Sequence, residues 1–334
     1  MKFAIIGAGS WGLAIGHHLA SLGHDVLMQC RTDVQAQHLS TTKTDKRIPD
    51  IKLHDKLQFS NLDFQHRIGV ECIILACPSK VLRGTCRNLN LAGAPSKGTI
   101  CLSLIKGIEK DTGLRVSEII DEEVSWLSKG DIAVLSGPSL AKEVLMGTLT
   151  TVVIASSKLS MAHKLQNSFN GELFRVYTSD DVLGVELGGA LKNVVALAAG
   201  MIEGLGFGDN TVGALITRGL SEISRLGECL GASPQTFSGL SGLGDLVTTC
   251  MSSQSRNRKV GVLLGQGMSL EKILNELGMV AEGVYTAVAA VQMAERYSID
   301  MPVAQAVYNV LYKGGSAADE AKKLMRREPK TEIF

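Results

Sequence analysis

KFAIIGAGSWG, residues 2–12, runs a buried-type strand straight into a GxGxxG turn. Each glycine has its own use in such a turn: Gly7 permits the tight bend, Gly9 lets backbone approach a pyrophosphate, and Gly12 lets the following helix pack on the strand. The pattern alone is weak, but its surroundings strengthen it. A helical stretch continues through Leu19, and a second apolar run begins after Gly23, so the unit has the dimensions of a βαβ fold. The reading is a dinucleotide-binding turn, weighed against a glycine turn of purely structural use. Ser10 and Trp11 fall at the helix mouth, where they could hydrogen-bond and wall phosphates, although Trp11 reads equally as a packing anchor.

Outward from this turn, short apolar runs alternate with helical patterns. Phe3–Ile6, Val26–Met28, Cys72–Ala76, Thr99–Leu102, Ile132–Leu135 and Thr151–Ala155 read as strands, several without polar alternation, as expected of parallel strands covered on both faces. From about Asp180 the texture becomes Ala, Leu, Gly and Val at helical spacing. The expected architecture is α/β: a Rossmann-like doubly wound sheet domain over residues 1–180, followed by an all-helical substrate-binding and catalytic domain over 181–334. No Pro- or Ser-rich linker separates them, so the two should pack closely.

A chain of 334 residues exceeds what one core usually serves, in keeping with two domains. With 45% hydrophobic and 20% charged residues the composition is that of a globular protein, and no uncharged apolar run approaches the roughly 20 residues of a spanning helix. The net charge of +1 provides no overall field for nucleic acid or acidic lipid, so any anion must be bound locally. Seven scattered cysteines, with no CxxC pair and no secretory signal ahead of the first strand, point to reduced thiols in a cytoplasmic protein. No metal site is expected.

The end of the second strand bears on the cofactor. An NAD site usually places a carboxylate there, whereas LMQCRTD offers Arg31, whose guanidinium suits a 2′-phosphate. NADP(H) is favoured, and nearby Asp33 keeps NAD(H) possible. A solvated surface arginine is the alternative reading of Arg31.

Several segments of the chain bear on a phosphorylated substrate. In SQSRNRKVGVLLGQG, Ser253 or Ser255 can cap a helix whose first turns carry Arg256, Asn257, Arg258 and Lys259. Positive charge opposes the dipole at that end, a conflict that a bound phosphate would resolve. In GVELGGALKNVVALAAG, small residues recur every four positions around Lys192, and the costly pair Gly188–Gly189 requires something to approach closely; substrate and nicotinamide are the expected visitors. Lys106 in SLIKGIE follows a strand end, as do Gly137 and Ser139 in SGPSLAKEV, and the glycine-rich GLSGLGDL delivers Asp245 after a flexible turn. Singly, each of these reads equally as helix packing or ordinary turn chemistry.

Taken together, GAGSWG, CPSKVLR, KGIE, SGPSLAKEV, ELGGALKNVVALAAG, GLSGLGDLVTTC, SRNRKVG and VAEGVYTA, in that order across nearly the whole chain, resemble the NAD(P)-dependent glycerol-3-phosphate dehydrogenases of bacterial type. The resemblance implies Lys192 as proton acceptor, with Lys106 and Asp245 beside it in catalysis. Substrate contacts would be Lys106, Gly137, Ser139, Lys192, Asp245, Ser255, Arg256 and Asn257. Cofactor contacts would be Ser10, Trp11, Arg31, Lys106, Ala141, Arg256, Val280 and Glu282, beside the glycine turn. Two departures stand out: Gln29 replaces a frequent Trp, and TDKRIPD replaces a segment ending in Tyr-Leu-Pro, which bears on the adenine side and the loop near residue 47.

The implied reaction interconverts dihydroxyacetone phosphate and sn-glycerol 3-phosphate by hydride transfer at C2, supplying glycerophospholipid synthesis. A homodimer is implied by the same resemblance, and neither nucleic acid nor stable membrane insertion is expected. The rival readings are a related dehydrogenase of hydroxy or sugar acids, and a non-catalytic dinucleotide sensor.

Overall fold

A computed structural model describes residues 1–48, 50–61, 69–277, 281–329 and 331–332. Its eight strands are β1 (Lys2–Ile6), β2 (Asp25–Gln29), β3 (Gln58–Ser60), β4 (Cys72–Leu75), β5 (Ile100–Ser103), β6 (Ile132–Ser136), β7 (Thr150–Ala155) and β8 (Phe174–Ser179), in the sheet order β3-β2-β1-β4-β5-β6-β7-β8. The six expected strands are all present. β3 escapes sequence reading because it is three residues long and not fully buried at any of them. β8, FRVYTS, is an edge strand whose first four residues alternate buried and exposed, unlike the continuous apolar runs of the centre. One expectation is corrected: β7 runs antiparallel to β6, pairing Val134 with Ala155, so the sheet is mixed.

The chain steps outward from β1 to β2 and β3, then returns to place β4 on the other side of β1. This reversal opens a crevice at the carboxyl ends of β1 and β4, where open α/β sheets bind ligands. Gly7 lies there with φ +115°, and a Cβ on it would stand 2.7 Å from the Ala76 carbonyl oxygen, so neither conformation nor space admits another residue. The helix Ser10–Ser21 follows directly, packing Leu13, Ala14 and Ile15 into the sheet core with Phe3, Ile5 and Met28. Its far end is tied to a distant helix, Leu159–Phe169: His18 Nε2 lies 2.7 Å from the Phe169 carbonyl oxygen and His24 Nε2 2.9 Å from that of Ser168.

After Ser179 the described chain is helical. The long helix Val182–Gly204 is the single helix, among the described residues, apolar and long enough to cross a membrane, yet 83% of its apolar window is buried inside the protein. It forms the centre of a second core with Leu226, Phe237, Leu246, Ala287 and Ala289. Its neighbour Arg256–Gly265 lies against it backbone to backbone. A Cβ on Gly200 would stand 2.8 Å from Val262 N, and one on Gly261 would stand 2.9 Å from Gly200 Cα.

The helix glycines therefore make room for protein, the helix-packing alternative of the sequence, and not for substrate and nicotinamide. A Cβ on Gly188 would stand 2.5 Å from the Ser241 carbonyl oxygen, and one on Gly189 2.5 Å from Ser136 Oγ. Their cost as helix formers is offset by bringing three segments close enough to assemble one site.

Candidate active site

Asp245 opens the helix Asp245–Met251, and the residue is 1% exposed. The segment before it is a π-helical turn, Leu240–Gly244, rather than the flexible turn expected from its glycines. A buried carboxylate needs partners, and here it has two cations. Lys106 Nζ donates to Asp245 Oδ2 at 2.6 Å, reaching in from beyond β5. Lys192 Nζ, on the long helix, donates to Asp245 Oδ1. Lys192 also donates to Thr249 Oγ1 at 2.5 Å, and that hydroxyl donates to the Asp245 carbonyl oxygen at 2.6 Å, one helical turn back. Lys106 donates further to the Gly137 carbonyl oxygen at 2.9 Å and to Ser139 Oγ at 3.3 Å. Five predicted residues, Lys106, Gly137, Ser139, Lys192 and Asp245, thus meet at one point.

Electrostatics follow from this packing. Burial pushes Lys192 down to about 8, with Lys106's charge acting the same way and Asp245 opposing. Burial works to raise the Asp245 carboxyl, but the two lysines overcome it and hold the group below the usual carboxylate range. Two cations around one anion leave a net positive, water-poor site in which one ammonium lies close to neutrality. Such a group can hand over or take a proton near physiological pH while the remaining charge steadies an oxyanion.

The phosphate-type helix end stands beside it. Ser255, rather than Ser253, caps Arg256–Gly265, its hydroxyl accepting from Arg258 N at 3.2 Å. Arg256 is exposed at the start of that helix. Desolvation nevertheless lowers its pKa, Glu282 resists this, and Arg47 adds to it. Asn257 is turned into the protein: its Nδ2 donates to Asn193 Oδ1 at 2.9 Å, and its Oδ1 accepts from Gly283 N at 3.0 Å. Asn193 Nδ2 in turn donates to the Lys106 carbonyl oxygen at 3.2 Å, so this amide relay joins Lys106 to the helix beginning at Glu282.

On the dinucleotide side, Gly7, Gly9, Ser10, Trp11 and Gly12 form the turn and helix mouth at the sheet crevice. Gly9 is the N-cap with no side-chain hydrogen bond, and no acidic residue lies in the first turn, so the helix end is free to meet an anion. Trp11 packs partly on the sheet core, as does Ala141, while Trp11 Nε1 is buried without a hydrogen-bond partner among the described residues. Arg31 is exposed just past β2, apart from the lysine cluster. Glu282 takes both donors of Ser79, the backbone N–H at 3.1 Å and the hydroxyl, tying the loop after β4 to the helical half. Val280 lies outside the described residues. Among those described, no group of three His, Cys, Asp or Glu side chains is placed to hold a metal.

Sequence reading missed Thr249, Ser136 and Ser79. Thr249 carried a usable signal, since a residue four after Asp245 on a helix must share its face. Ser136 donates to Asp245 Oδ2 at 3.4 Å from the end of β6, and nothing in its neighbourhood marks it.

A family model for the N-terminus of NAD-dependent glycerol-3-phosphate dehydrogenase matches residues 2–162, and one for its C-terminus matches 181–322. The chain is 44% identical over 333 residues to a glycerol-3-phosphate dehydrogenase (NAD(P)+) of Lysinibacillus sphaericus, covering 99% of this chain and 98% of the relative. It is 45% identical over 334 residues to one from Shouchella clausii, with the same coverage of 99% and 98%. A solved glycerol-3-phosphate dehydrogenase from Coxiella burnetii superposes with TM-score 0.91 at 33% identity, over 98% of this chain and 99% of that one.

Proposed function

The chain belongs to the NAD-dependent glycerol-3-phosphate dehydrogenase family, and from that premise we propose how its own residues divide the reaction. It is an oxidoreductase of glycerol 3-phosphate using a pyridine nucleotide. The uncapped helix end behind Gly9, with open space before it, fits the pyrophosphate of such a nucleotide. When bound, NAD(P)H supplies the hydride that C2 of dihydroxyacetone phosphate receives. The chain's part is to seat the substrate and to manage one proton.

The observation that carries the assignment of roles is Asp245 held between Lys106 and Lys192. Below about pH 8 Lys192 is an ammonium, able to give its proton to the developing C2 alkoxide; in glycerol 3-phosphate oxidation the neutral amine takes it back. Asp245 fixes both lysines, and Lys106 orients the substrate oxygens with Ser139 and Gly137. Arg256 and the helix end capped by Ser255 hold the substrate phosphate, with Asn257 positioning that end through Asn193 and Gly283. Arg31 reads a 2′-phosphate, favouring NADP(H) while admitting NAD(H).

The chain divides functionally at residue 180 into a dinucleotide-binding unit, 1–180, and a substrate-binding unit, 181–334. It works in the cytoplasm as a homodimer, supplying sn-glycerol 3-phosphate for phospholipids. The test is NADPH oxidation with dihydroxyacetone phosphate and then with unphosphorylated dihydroxyacetone. Turnover only with the phosphate ester is expected, and comparable rates with both would remove Arg256 and its helix end from substrate recognition.

A further inference from the structure

Arg47 lies in the segment that departs from the family pattern, TDKRIPD, and the structure places it over the glycine turn. Its Nε donates to Asp45 Oδ1 at 2.6 Å and its Nη2 to Asp45 Oδ2 at 2.6 Å, a two-pronged fork, while the Arg47 backbone N–H donates to Asp45 Oδ1 at 2.9 Å. Nη2 also donates to the Ala8 carbonyl oxygen at 2.6 Å, inside the GxGxxG turn. The guanidinium is therefore locked in place before any ligand arrives. Its remaining nitrogen, Nη1, makes no hydrogen bond among the described residues. Among the described residues, leaving out Gly9 and its chain neighbours, Nη1 is also the one atom within 4 Å of where a Cβ on Gly9 would stand, at 3.9 Å. Two N–H donors thus border the open space in front of Gly9, beside the uncapped helix end.

We propose that Arg47 is a cofactor-binding residue whose Nη1 donates to the dinucleotide pyrophosphate, closing over the phosphates from the side opposite the helix Ser10–Ser21. Asp45 is the positioning residue that holds the fork. A pre-aimed guanidinium loses little freedom on binding, and an arginine fork suits phosphate oxygens better than an ammonium does. Position argues for the pyrophosphate rather than the 2′-phosphate: Arg47 rests on Ala8 and faces Gly9, whereas Arg31 lies just past the end of β2. The charge of Arg47 is felt at Arg256, so an anion bound near both would relieve their mutual repulsion.

The inference rests on the dinucleotide reading, which NADH titration of the unaltered protein tests separately. Arg47→Met keeps the stem and removes the donors; Arg47→Lys keeps the charge without the fork. Dissociation constants of NADH, NADPH, ADP-ribose and adenosine are measured by fluorescence titration and displacement, on variants whose thermal unfolding shows them folded. Arg47→Met should weaken NADH, NADPH and ADP-ribose alike by about 10- to 100-fold, the scale of a charge-assisted hydrogen bond, and leave adenosine unchanged. Arg47→Lys should recover part of the loss. An equal loss for adenosine would make Arg47 a mere prop of the loop, a loss confined to NADPH would move it to the 2′-phosphate, and unchanged constants would remove it from the site; each overturns the proposal.

Discussion

Replacing Lys192 by methionine keeps the stem and deletes the ammonium, so kcat should fall by roughly a hundredfold or more, the usual scale for losing a general acid. NADPH affinity, measured by fluorescence titration on the same folded protein, should change little if the nucleotide rests, as proposed, on the glycine turn. The unaltered enzyme should show the matching pH dependence. Glycerol 3-phosphate oxidation needs the neutral amine and should rise with pH to a plateau above about 8, while ketone reduction needs the ammonium and should fall above it. A pH-independent ratio of the two rates between pH 7 and 9 would separate Lys192 from the proton. Arg256→Ala should raise the KM for dihydroxyacetone phosphate by about 10- to 100-fold, and Arg31→Ala should weaken NADPH more than NADH. The residues legible in the sequence were those attached to a backbone signal: Lys106 and Ser139 just past strand ends, Asp245 after a glycine run, Lys192 among helix glycines. Ser79 and Ser136 had none. Ser79 meets a carboxylate 203 positions away, a distance that only the tertiary fold removes.

Glycine patterning announced close approach in the helical half but not what approaches. A periodic row of small residues looks the same whether a ligand or another helix fills it. The structure fills it with the helix Arg256–Gly265, whose own glycines interlock with those of Val182–Gly204. Gly261→Ala therefore inserts a methyl group where Gly200 Cα leaves no room, and it should lower stability by roughly 1–3 kcal/mol in denaturant unfolding. It should also raise the substrate KM, because the same helix carries Ser255 and Arg256 at its start. Loss of stability with unaltered KM would show that the helix end adjusts independently of its packed centre. Strands were legible where they are buried on both faces. β8 was not, since alternation at an edge competes with the helical texture that follows it, and the reversed sense of β7 has no sequence signature at all.

Acid sensitivity belongs to the molecule as a whole. Burial, with the neighbouring charge of His54, pulls His17 below its ordinary 6.5, and burial likewise lowers His18 against the opposing hydrogen bond to the Phe169 carbonyl, with His24 adding to the lowering. A base whose folded pKa is depressed stabilises the fold fully above its unfolded value and loses that contribution as pH falls below it. Thermal unfolding should therefore move to lower temperature as pH drops from about 6.5, and replacing His17 and His18 by asparagine should flatten that limb. Glu222 works the other way. Burial raises it to about 7, so its contribution is complete below its ordinary 4.5 and is lost as pH climbs through 7. His18 is also the residue whose ring ties the first helix to Phe169, which has a bearing on how the chain is made. A ribosome releases the glycine turn long before residue 169, so the nascent nucleotide pocket must wait, half built, for more than a hundred further residues before its supporting helix is stitched down. A fragment ending at 180 should unfold cooperatively on heating and one ending at 162 should not, because the shorter piece lacks Ser168 and Phe169, the thread that closes the seam, together with the whole of β8.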